Sequence, residues 1–347
     1  MRITFLIGNG FDLGAGLKTD YSSFYKSKLA PLKSAGTSNE LIAALSPGYY
    51  SWGEMETALG QFESKNSVDD FLLWKDELET LLEEYMAEQQ ELFAGTFSGK
   101  GEAIAESFVR STTDFYDGLQ RIQRDNIEKT ISQIGEKIQY SFINFNYTDA
   151  FDRYLMTTRS FLKNGVIGQH KHSSMIFADT LDRLVHVHGT MGSGIVLGVN
   201  DESQIANEAW QSDYTAQRLL IKENIDDILG QARIKTAEKM IDQSRIVCVY
   251  GMSLSATDRN WWNYIYRWLM SNSDRRLLLF AYDEKNSNRV TAYRTFMNMY
   301  STQNRFKEII DIPDREWESV KNRIFARSSS GMFSVASIEG ETSGSEA

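Results

Sequence analysis

The chain of 347 residues is 41% hydrophobic and 24% charged, and it carries a formal net charge of -10. This composition indicates a globular protein with room for one large domain or one core with a sizeable insertion, and its acidic balance argues against nucleic-acid binding as the main role. The single cysteine, Cys248, excludes a disulfide framework or a four-cysteine zinc module within the chain, and the absence of a signal peptide or of an apolar stretch of ~18 residues predicts a cytoplasmic protein without membrane spans.

The first predicted element is an apolar strand over residues 2–8 that leads directly into a glycine-rich turn and then a helix. The turn contains Gly8, Asn9, Gly10, Phe11 and Asp12. Glycines after a strand let backbone N–H groups approach an anionic ligand, and the helix N-terminus adds a favourable dipole. The third glycine of the dinucleotide fingerprint is missing and no second strand with an acidic residue follows, which disfavours a nicotinamide dehydrogenase. A turn without a ligand is the alternative.

Helical spacing of apolar residues predicts a long helix from residue 68 and a second one over 119–138, which together form a helical hairpin. Further strands are predicted over 140–144, 184–188, 246–250 and 276–282, with helices over 214–229, 232–242, 259–270 and 286–300 between or after them. This alternation predicts an α/β fold, with a Rossmann-like, mostly parallel sheet flanked by helices and a large helical insertion after the first strand. We expect residues 1–50 and 138–327 to form the α/β domain, 51–137 the helical insertion, and 328–347 a disordered polar tail.

Polar groups follow four of the predicted strands at the point where each strand ends. They lie in the segments 8–12, 145–149, 186–189 and 251–255, and they include amide, imidazole and hydroxyl side chains. Ligands of doubly wound folds bind outside the carboxyl ends of the strands. The sequence therefore predicts a ligand site at this edge of the sheet.

These motifs resemble the bacterial abortive-infection family AbiH over nearly the whole chain, to about residue 325. The resemblance rests on Ile-Gly-Asn-Gly-Phe-Asp at 7–12, Gly-Leu-Lys-Thr-x-Tyr at 16–21, Trp52-x-x-x-Glu56, Asn-Phe-Asn-Tyr-Thr at 144–148, His-Val-His-Gly at 186–189 and Gly-x-Ser-Leu-x-x-x-Asp at 251–258. The order of these motifs is also distantly similar to that of sirtuin-like NAD-hydrolysing defence domains. Those domains imply NAD as a substrate rather than a bound cofactor, and no metal.

The sirtuin-like resemblance implies catalytic roles for two residues, Asn146 and His188. Asn146 would hold a water or a ribose hydroxyl, and a histidine that titrates near neutral pH can accept a proton. The residues implied to bind the nucleotide are Gly8, Asn9, Gly10, Phe11, Asp12, Gly251, Ser253, Leu254 and Asp258. Because the chain lacks both the four-cysteine module and the arginine of the first sirtuin motif, protein deacylation is not expected.

Each of these assignments has a structural alternative. His188 could be a core-edge histidine, Asn146 could cap the helix that begins near Asp149, and residues 255–258 form a capping-box pattern. His170, His172, His186 and His188 together allow a metal-site hypothesis, which we disfavour, and His186 suits a structural role. Trp52 and Glu56, one helical turn apart, could cap the pocket or simply pack, and the aromatic run 261–268 predicts burial between layers or an oligomer interface.

The leading hypothesis is a phage-defence effector that hydrolyses NAD to nicotinamide and ADP-ribose. The alternative is a non-catalytic module that binds a nucleotide such as ADP-ribose, either as a sensor or through oligomerisation, and a toxic activity on RNA or another nucleotide is a third option. The expected partners are NAD or a related nucleotide, a homo-oligomeric copy and a phage-derived trigger.

Overall fold

A computed structural model describes residues 1–49, 51–94, 99–281 and 292–334 of the chain. Within these residues, seven strands form one sheet: β1 (Arg2–Ile7), β2 (Gln139–Asn144), β3 (Val166–His172), β4 (Met175–His186), β5 (Ser244–Tyr250), β6 (Arg276–Ala281) and β7 (Ile324–Ser328). Helices connect and cover these strands, so the predicted α/β class is confirmed.

The strands lie in the order β3-β4-β2-β1-β5-β6-β7. Neighbouring strands pair in parallel, except that β3 and β4 form an antiparallel pair at one edge. The chain builds outward from β1 through β2 and β4, and then returns to the other side of β1 with β5. In doubly wound sheets, ligands bind outside the carboxyl ends of the strands at the point where the strand order reverses in this way. The two strands at that point are β1 and β5.

The helices within the described residues are, in chain order, α1 (Gly10–Gly14), α2 (Tyr21–Phe24), α3 (Ala30–Ala35), α4 (Glu40–Ala44), α5 (Trp52–Gly60), α6 (Val68–Ala94), α7 (Gly101–Thr113), α8 (Arg121–Ser132), α9 (Ala150–Phe161), α10 (Glu208–Gln211), α11 (Tyr214–Leu220), α12 (Lys222–Ile228), α13 (Arg233–Asp242), α14 (Arg259–Met270), α15 (Ala292–Ile309) and α16 (Asp314–Val320). A π-helical turn, Tyr25–Leu29, joins α2 to α3. The long helix predicted from residue 68 is α6, and the run after residue 119 contains α8.

Both faces of the sheet are buried, and successive strand residues enter different cores. Phe5 of β1 and Phe142 of β2 stack with ring centroids 5.7 Å apart in the core on one face, to which α7 and α9 contribute. Leu6 and Ile143 enter the core on the other face, together with Trp262 of α14. Because both faces are covered, these strands are apolar at nearly every position, which is why they could be recognised in the sequence.

A third core lies between the helices at the carboxyl edge of the sheet. It is built from α2, α4, α5, α6 and the segment 195–221, and Tyr147, which follows β2, belongs to it. In contrast, α7 and α8 contribute Phe108 and Ile127 to the core against the sheet. The helices between residues 51 and 137 therefore serve two different cores, and the division of the chain into an α/β domain and an insertion stays a prediction.

Two strands and several helices, among them α7, α10 and α16, occur where none was predicted. β3 is a polar edge strand whose residues alternate in exposure, and β7 follows a 3-10 turn at the end of α16. α7 separates the two helices of the predicted hairpin and packs against α9. The packed chain also continues beyond residue 327, because Met332 and Phe333 are buried among aromatic residues of the first core. Residues 335–347 of the predicted tail lie outside the described residues.

Candidate functional site

A cavity of about 450 Å³ opens at the carboxyl ends of β1, β2, β4 and β5. Nine of the predicted site residues line it: Gly8, Asn9, Gly10, Asp12, Asn146, His188, Gly251, Ser253 and Asp258. The other two, Phe11 and Leu254, lie in the cores beneath the cavity, where Phe11 packs edge-on against Phe151 with ring centroids 5.0 Å apart. Their side chains point away from the cavity because each lies on the face of its turn that covers the sheet.

The glycine turn after β1 packs directly against the turn after β5. Gly8 N–H donates to Tyr250 O at 2.9 Å, and Gly10 N–H donates to Gly251 O at 2.8 Å. A Cβ atom on Gly10 would lie 2.6 Å from Gly251 Cα, so these glycines are needed for the close approach of two backbones. The expectation that their N–H groups contact an anionic ligand is wrong for Gly8 and Gly10, because both groups already bond to carbonyl oxygens within the chain.

Gly251→Ala is expected to lower the free energy of unfolding by about 3 kcal/mol, because Gly251 has a φ of 70° and an added Cβ would lie 2.9 Å from Gly8 O. Gly230→Ala is the matched control: its φ of 63° imposes the same backbone strain, but no atom lies within 4 Å of the added Cβ. We expect the control to cost about 1 kcal/mol. Urea unfolding of the two variants checks this, and equal costs would show that the contact between the turns is not tight.

The side chain of Asn9 forms hydrogen bonds with Thr19, in the segment that follows the glycine turn. Its Oδ1 accepts from Thr19 Oγ1 at 2.6 Å and its Nδ2 donates to Thr19 O at 3.1 Å. Trp52 Nε1 donates to the same carbonyl oxygen at 2.8 Å. Trp52 and Glu56 both lie on α5 and both line the cavity, so this helix forms one of its walls.

Asp12 lies 1% exposed on α1 and contacts two residues of the segment after β2. Asn146 Nδ2 donates to Asp12 Oδ1 at 2.8 Å, and Thr148 Oγ1 donates to Asp12 Oδ2 at 2.6 Å. Burial raises the pKa of Asp12 to about 7, although these two hydrogen bonds act in the opposite direction. The side chain of Asn146 does not cap α9, whose first turn is preceded by Asp149.

The backbone N–H group and the carbonyl oxygen of Asn146 also have partners within the chain. Asn146 N donates to Asn144 Oδ1 at 3.0 Å, and Asn146 O lies 3.1 Å from His186 Nδ1. His186 Nε2 lies 2.8 Å from Asp152 Oδ2, so both ring nitrogens of His186 contact groups within the chain. Among the described residues, Asn146 Oδ1 has no hydrogen-bond partner although it is buried. Asn146 thus presents one unsatisfied acceptor.

His188 lies in the wall of the cavity, with its ring 5.2 Å from that of Phe145 and 6.2 Å from that of Tyr147. Burial and the neighbouring Lys222 lower its pKa to about 3, although Asp258 and a hydrogen bond to the Phe145 backbone favour the charged form. Its Nε2 is buried, has no hydrogen-bond partner within the described chain, and lies 4.0 Å from Asp258 Oδ1. His188 is therefore a neutral imidazole at physiological pH.

A buried ion cluster lies next to His188. Lys222 Nζ lies 2.9 Å from Glu56 Oε2 and 3.5 Å from Asp258 Oδ1, and it also contacts Thr257 O at 3.4 Å. Burial raises the pKa of Glu56 to about 7. Burial lowers the pKa of Lys222, but Glu56 and Asp258 raise it by more, so the ammonium stays charged. Sequence reasoning missed Lys222, because nothing in the local pattern at the start of α12 marks a residue that pairs with α5.

The cavity wall is largely aromatic and its rim is rich in hydroxyl groups. Tyr21, Trp52, Phe145, Tyr147, Tyr250, Phe280 and Phe333 supply the rings, and Ser51, Ser253, Ser329 and Ser330 lie among the rim residues. The charged side chains in the lining are the carboxyl groups of Asp12, Asp20, Glu56 and Asp258; among the described residues that line this cavity there is no lysine or arginine. The site therefore favours a ligand with a flat ring, hydroxyl groups and positive rather than negative charge near the carboxyl groups.

A family model described as bacteriophage abortive infection AbiH matches residues 4–282, which include the strand-end motifs from the glycine turn to Asp258. This match covers well over half of the chain. The chain belongs to the AbiH family. Membership in the family implies a role in abortive-infection defence against bacteriophage. None of the curated proteins matches this AbiH chain significantly.

The predicted capping box of the AbiH chain does not form. The 3-10 turn Ala256–Asp258 begins after Ser255, whose hydroxyl contacts Asp258 Oδ2 at 3.2 Å instead of a backbone N–H group. Asp258 is thus shared between this hydroxyl and the Lys222 ammonium.

The four histidines of the AbiH chain do not come together. His170 on β3 contacts Asp179 Oδ1 at 2.8 Å and Ile134 O at 3.2 Å, and His172 contacts Ser132 O at 2.9 Å. Both lie beside the amino-terminal part of β4, whereas His186 ends that strand. In the part of the chain that the structure describes, no group of three or more histidine, cysteine, aspartate or glutamate side chains could hold a metal ion.

A second cavity of about 530 Å³ lies on the other side of His188 in this AbiH protein. Val187, His188, Lys222, Asn260, Asn263 and Trp261 are among its lining residues. Because Lys222 also contacts Glu56 and Asp258 of the first cavity, the ion cluster forms part of the wall between the two. The buried tryptophans of α14 fill the core as predicted, and Cys248 is buried in β5.

None of the helices in the described part of the AbiH chain is long and apolar enough to span a membrane.

Proposed function

We propose that this AbiH protein is an effector that hydrolyses NAD to nicotinamide and ADP-ribose in the cavity at the carboxyl ends of the strands. The observation that carries the proposal is the unsatisfied Oδ1 of Asn146, held in the lining of the same cavity as the neutral imidazole of His188. A buried acceptor without a partner suits a ligand hydroxyl or a water. The sirtuin-like order of the motifs supports the assignment of these two residues.

The proposed reaction breaks the bond between the nicotinamide nitrogen and C1′ of the ribose, and the bonding electron pair leaves with nicotinamide as a neutral ring. A water oxygen forms the new bond to C1′, and its proton passes to solvent, because burial lowers the pKa of His188 to about 3 and makes this imidazole a weak base. Asn146 Oδ1 would hold the water or a ribose hydroxyl, and His188 would help to position the ribose. Holding the reacting groups in place lowers the barrier without proton transfer to the protein.

The carboxyl groups in the lining support this class of reaction. The transition state of glycosidic cleavage places positive charge on the ribose, as in glycoside hydrolysis. Where these carboxyl groups are ionised, their negative charge would stabilise that developing cation, and Lys222 offsets part of the charge at Glu56 and Asp258. The aromatic walls suit the adenine and nicotinamide rings, and the hydroxyl groups of the rim suit the phosphates.

The order of the strands supports a finer description of the fold. Reversal of the strand order at β1 and β5, with parallel pairing around them, favours a Rossmann-like sheet whose crevice holds a nucleotide. Cytoplasmic location, a homo-oligomeric assembly and a phage-derived trigger stay predictions.

One observation favours the alternative of a non-catalytic nucleotide sensor. His188 Nε2 is buried and faces Asp258 Oδ1 at 4.0 Å, so in this arrangement that nitrogen is turned to the protein rather than to a ligand. A sensor would bind ADP-ribose with no turnover of NAD.

The test is release of nicotinamide from NAD by the purified protein, compared with Asn146→Ala and His188→Ala. We expect each variant to lower the rate by roughly 10²-fold, because the water and the ribose are no longer held in place. His172→Ala is the matched control, because His172 is a histidine on the far edge strand and should retain the full rate.

An effector that is inactive until infection would not cleave NAD in the purified state. The same comparison is therefore made in cells, with NAD measured under phage challenge. Equal NAD levels and equal growth with the parent chain and with Asn146→Ala would overturn the proposal. ADP-ribose affinity without any cleavage would establish the sensor instead.

A further inference from the structure

Asp12 is a buried carboxyl group without an ion-pair partner among the described residues. It is 1% exposed, and its polar contacts are the two hydrogen bonds from Asn146 and Thr148. The charged groups in its surroundings are His186 and Asp149, which act on it at longer range and in opposite directions. Burial of an unpaired carboxylate is unfavourable, and an apolar side chain would fill this position at lower cost. Packing alone therefore does not explain the carboxyl group at this position.

The orientation of the Asn146 side-chain amide explains why a carboxyl group lies here. An asparagine amide can be turned by half a rotation, which exchanges its acceptor oxygen and its donor nitrogen. In its ionised form Asp12 only accepts, so it selects the orientation in which Nδ2 faces Asp12 and Oδ1 faces away. The backbone on both sides of this amide is already fixed by Asn144 and His186.

We propose that Asp12 is a positioning residue that fixes the Asn146 amide so that its Oδ1 is presented as a hydrogen-bond acceptor to a ribose hydroxyl or a water. The identity of that ligand rests on the proposed function, but the orientation of the amide does not. This assigns Asp12 to Asn146 rather than to direct contact with a nucleotide phosphate. Thr148 Oγ1 donates to the other carboxylate oxygen of Asp12 at 2.6 Å.

The first test follows the side-chain amide without any ligand. In protein labelled with ¹⁵N-asparagine, the NH₂ signals of Asn146 are identified by their loss in Asn146→Ala. We expect these protons to exchange slowly with solvent in the parent and at least about tenfold faster in Asp12→Ala. Thr148→Val is the matched control, since it removes the other hydrogen bond to the same carboxylate and should leave the Asn146 protons protected.

The second test measures affinity for ADP-ribose by calorimetry. Asp12→Ala and Asn146→Ala should each weaken binding about tenfold, and the double variant should be no weaker than Asn146→Ala, because Asp12 acts through Asn146. Asp12→Asn, which keeps an acceptor at the same position, should restore part of the affinity. If Asp12→Ala does not fold, Asp12→Asn carries both tests: partial loss of protection of the Asn146 amide supports the proposal.

Two results would overturn the proposal: Asn146 protons that stay protected in Asp12→Ala, or losses of affinity that add in the double variant. A parent protein that neither cleaves NAD nor binds ADP-ribose would remove the proposed function. The amide-exchange test would still decide the role of Asp12.

Discussion

Lys222→Met is expected to lower the free energy of unfolding by about 3 to 5 kcal/mol, a large share of the stability of an ordinary domain. Methionine fills the space of the lysine stem but carries no charge. Its introduction would leave the buried Glu56 and the half-buried Asp258 without the ammonium that now lies 2.9 and 3.5 Å from them. Urea unfolding followed by tryptophan fluorescence measures the loss.

Two further variants separate the ion cluster from a general effect of removing a lysine. Lys235→Met removes an exposed partner of Asp227 and should leave the free energy of unfolding unchanged. Lys222→Met combined with Glu56→Gln removes one of the two stranded carboxylates, so it should recover about 2 kcal/mol of the loss. A single variant as stable as the parent would mean that the cluster does not hold the wall between the cavities.

The second large effect is a loss of stability between pH 5 and pH 8. Asp12 and Glu56 have a pKa near 7 in the folded chain, above the ordinary values of 3.8 and 4.5. The folded state therefore binds these protons more tightly than the unfolded chain, and the stability that they contribute is lost as pH rises toward 7. His188 has its pKa lowered to about 3, so its contribution is lost as pH falls below 6.5. Between pH 5 and 8 the two carboxyl groups outweigh the histidine, and we expect a net loss of about 3 kcal/mol.

Asp12→Asn isolates the contribution of one carboxyl group. An asparagine can accept from Asn146 and donate to Thr148, so both hydrogen bonds remain, although they are weaker than those to a carboxylate, and the titration is removed. The variant should lose only about 1 kcal/mol between pH 5 and pH 8, and it should be more stable than the parent at pH 8. Parallel pH profiles for the two proteins would show that Asp12 does not titrate in this range.

The strand-end site could be predicted from the sequence because its parts are local. Each of β1, β2 and β5 is a short apolar run followed at once by polar residues or glycine, and parallel strands bring such ends to one edge. β3 was not predicted, because an edge strand pairs with only one neighbouring strand and the sequence around His170 is polar. β7 was missed because its apolar run, residues 324–326, is short and leads into a polar stretch.

The contacts that organise the site could not be predicted, because they join distant parts of the chain. Lys222 meets Glu56 across 166 positions, and Asp12 meets Asn146 across 134. Asp12 was expected to contact a ligand, and its lining position agrees with that, but its carboxylate oxygens are taken by Asn146 and Thr148. Residue type indicated that Asp12 and Asn146 belong to a site, and only the fold showed what their side chains contact.

The segment that carries Phe333 determines when the cavity can form during synthesis of the chain. Phe333 packs against Phe5 with ring centroids 5.8 Å apart and against Tyr250 at 5.1 Å, and Ser329 and Ser330 lie on the rim. One wall thus comes from the turn after β1 and another from residues about 320 positions later. A ribosome must translate the chain through this segment before the cavity closes, so a nascent or prematurely ended chain lacks a complete binding site.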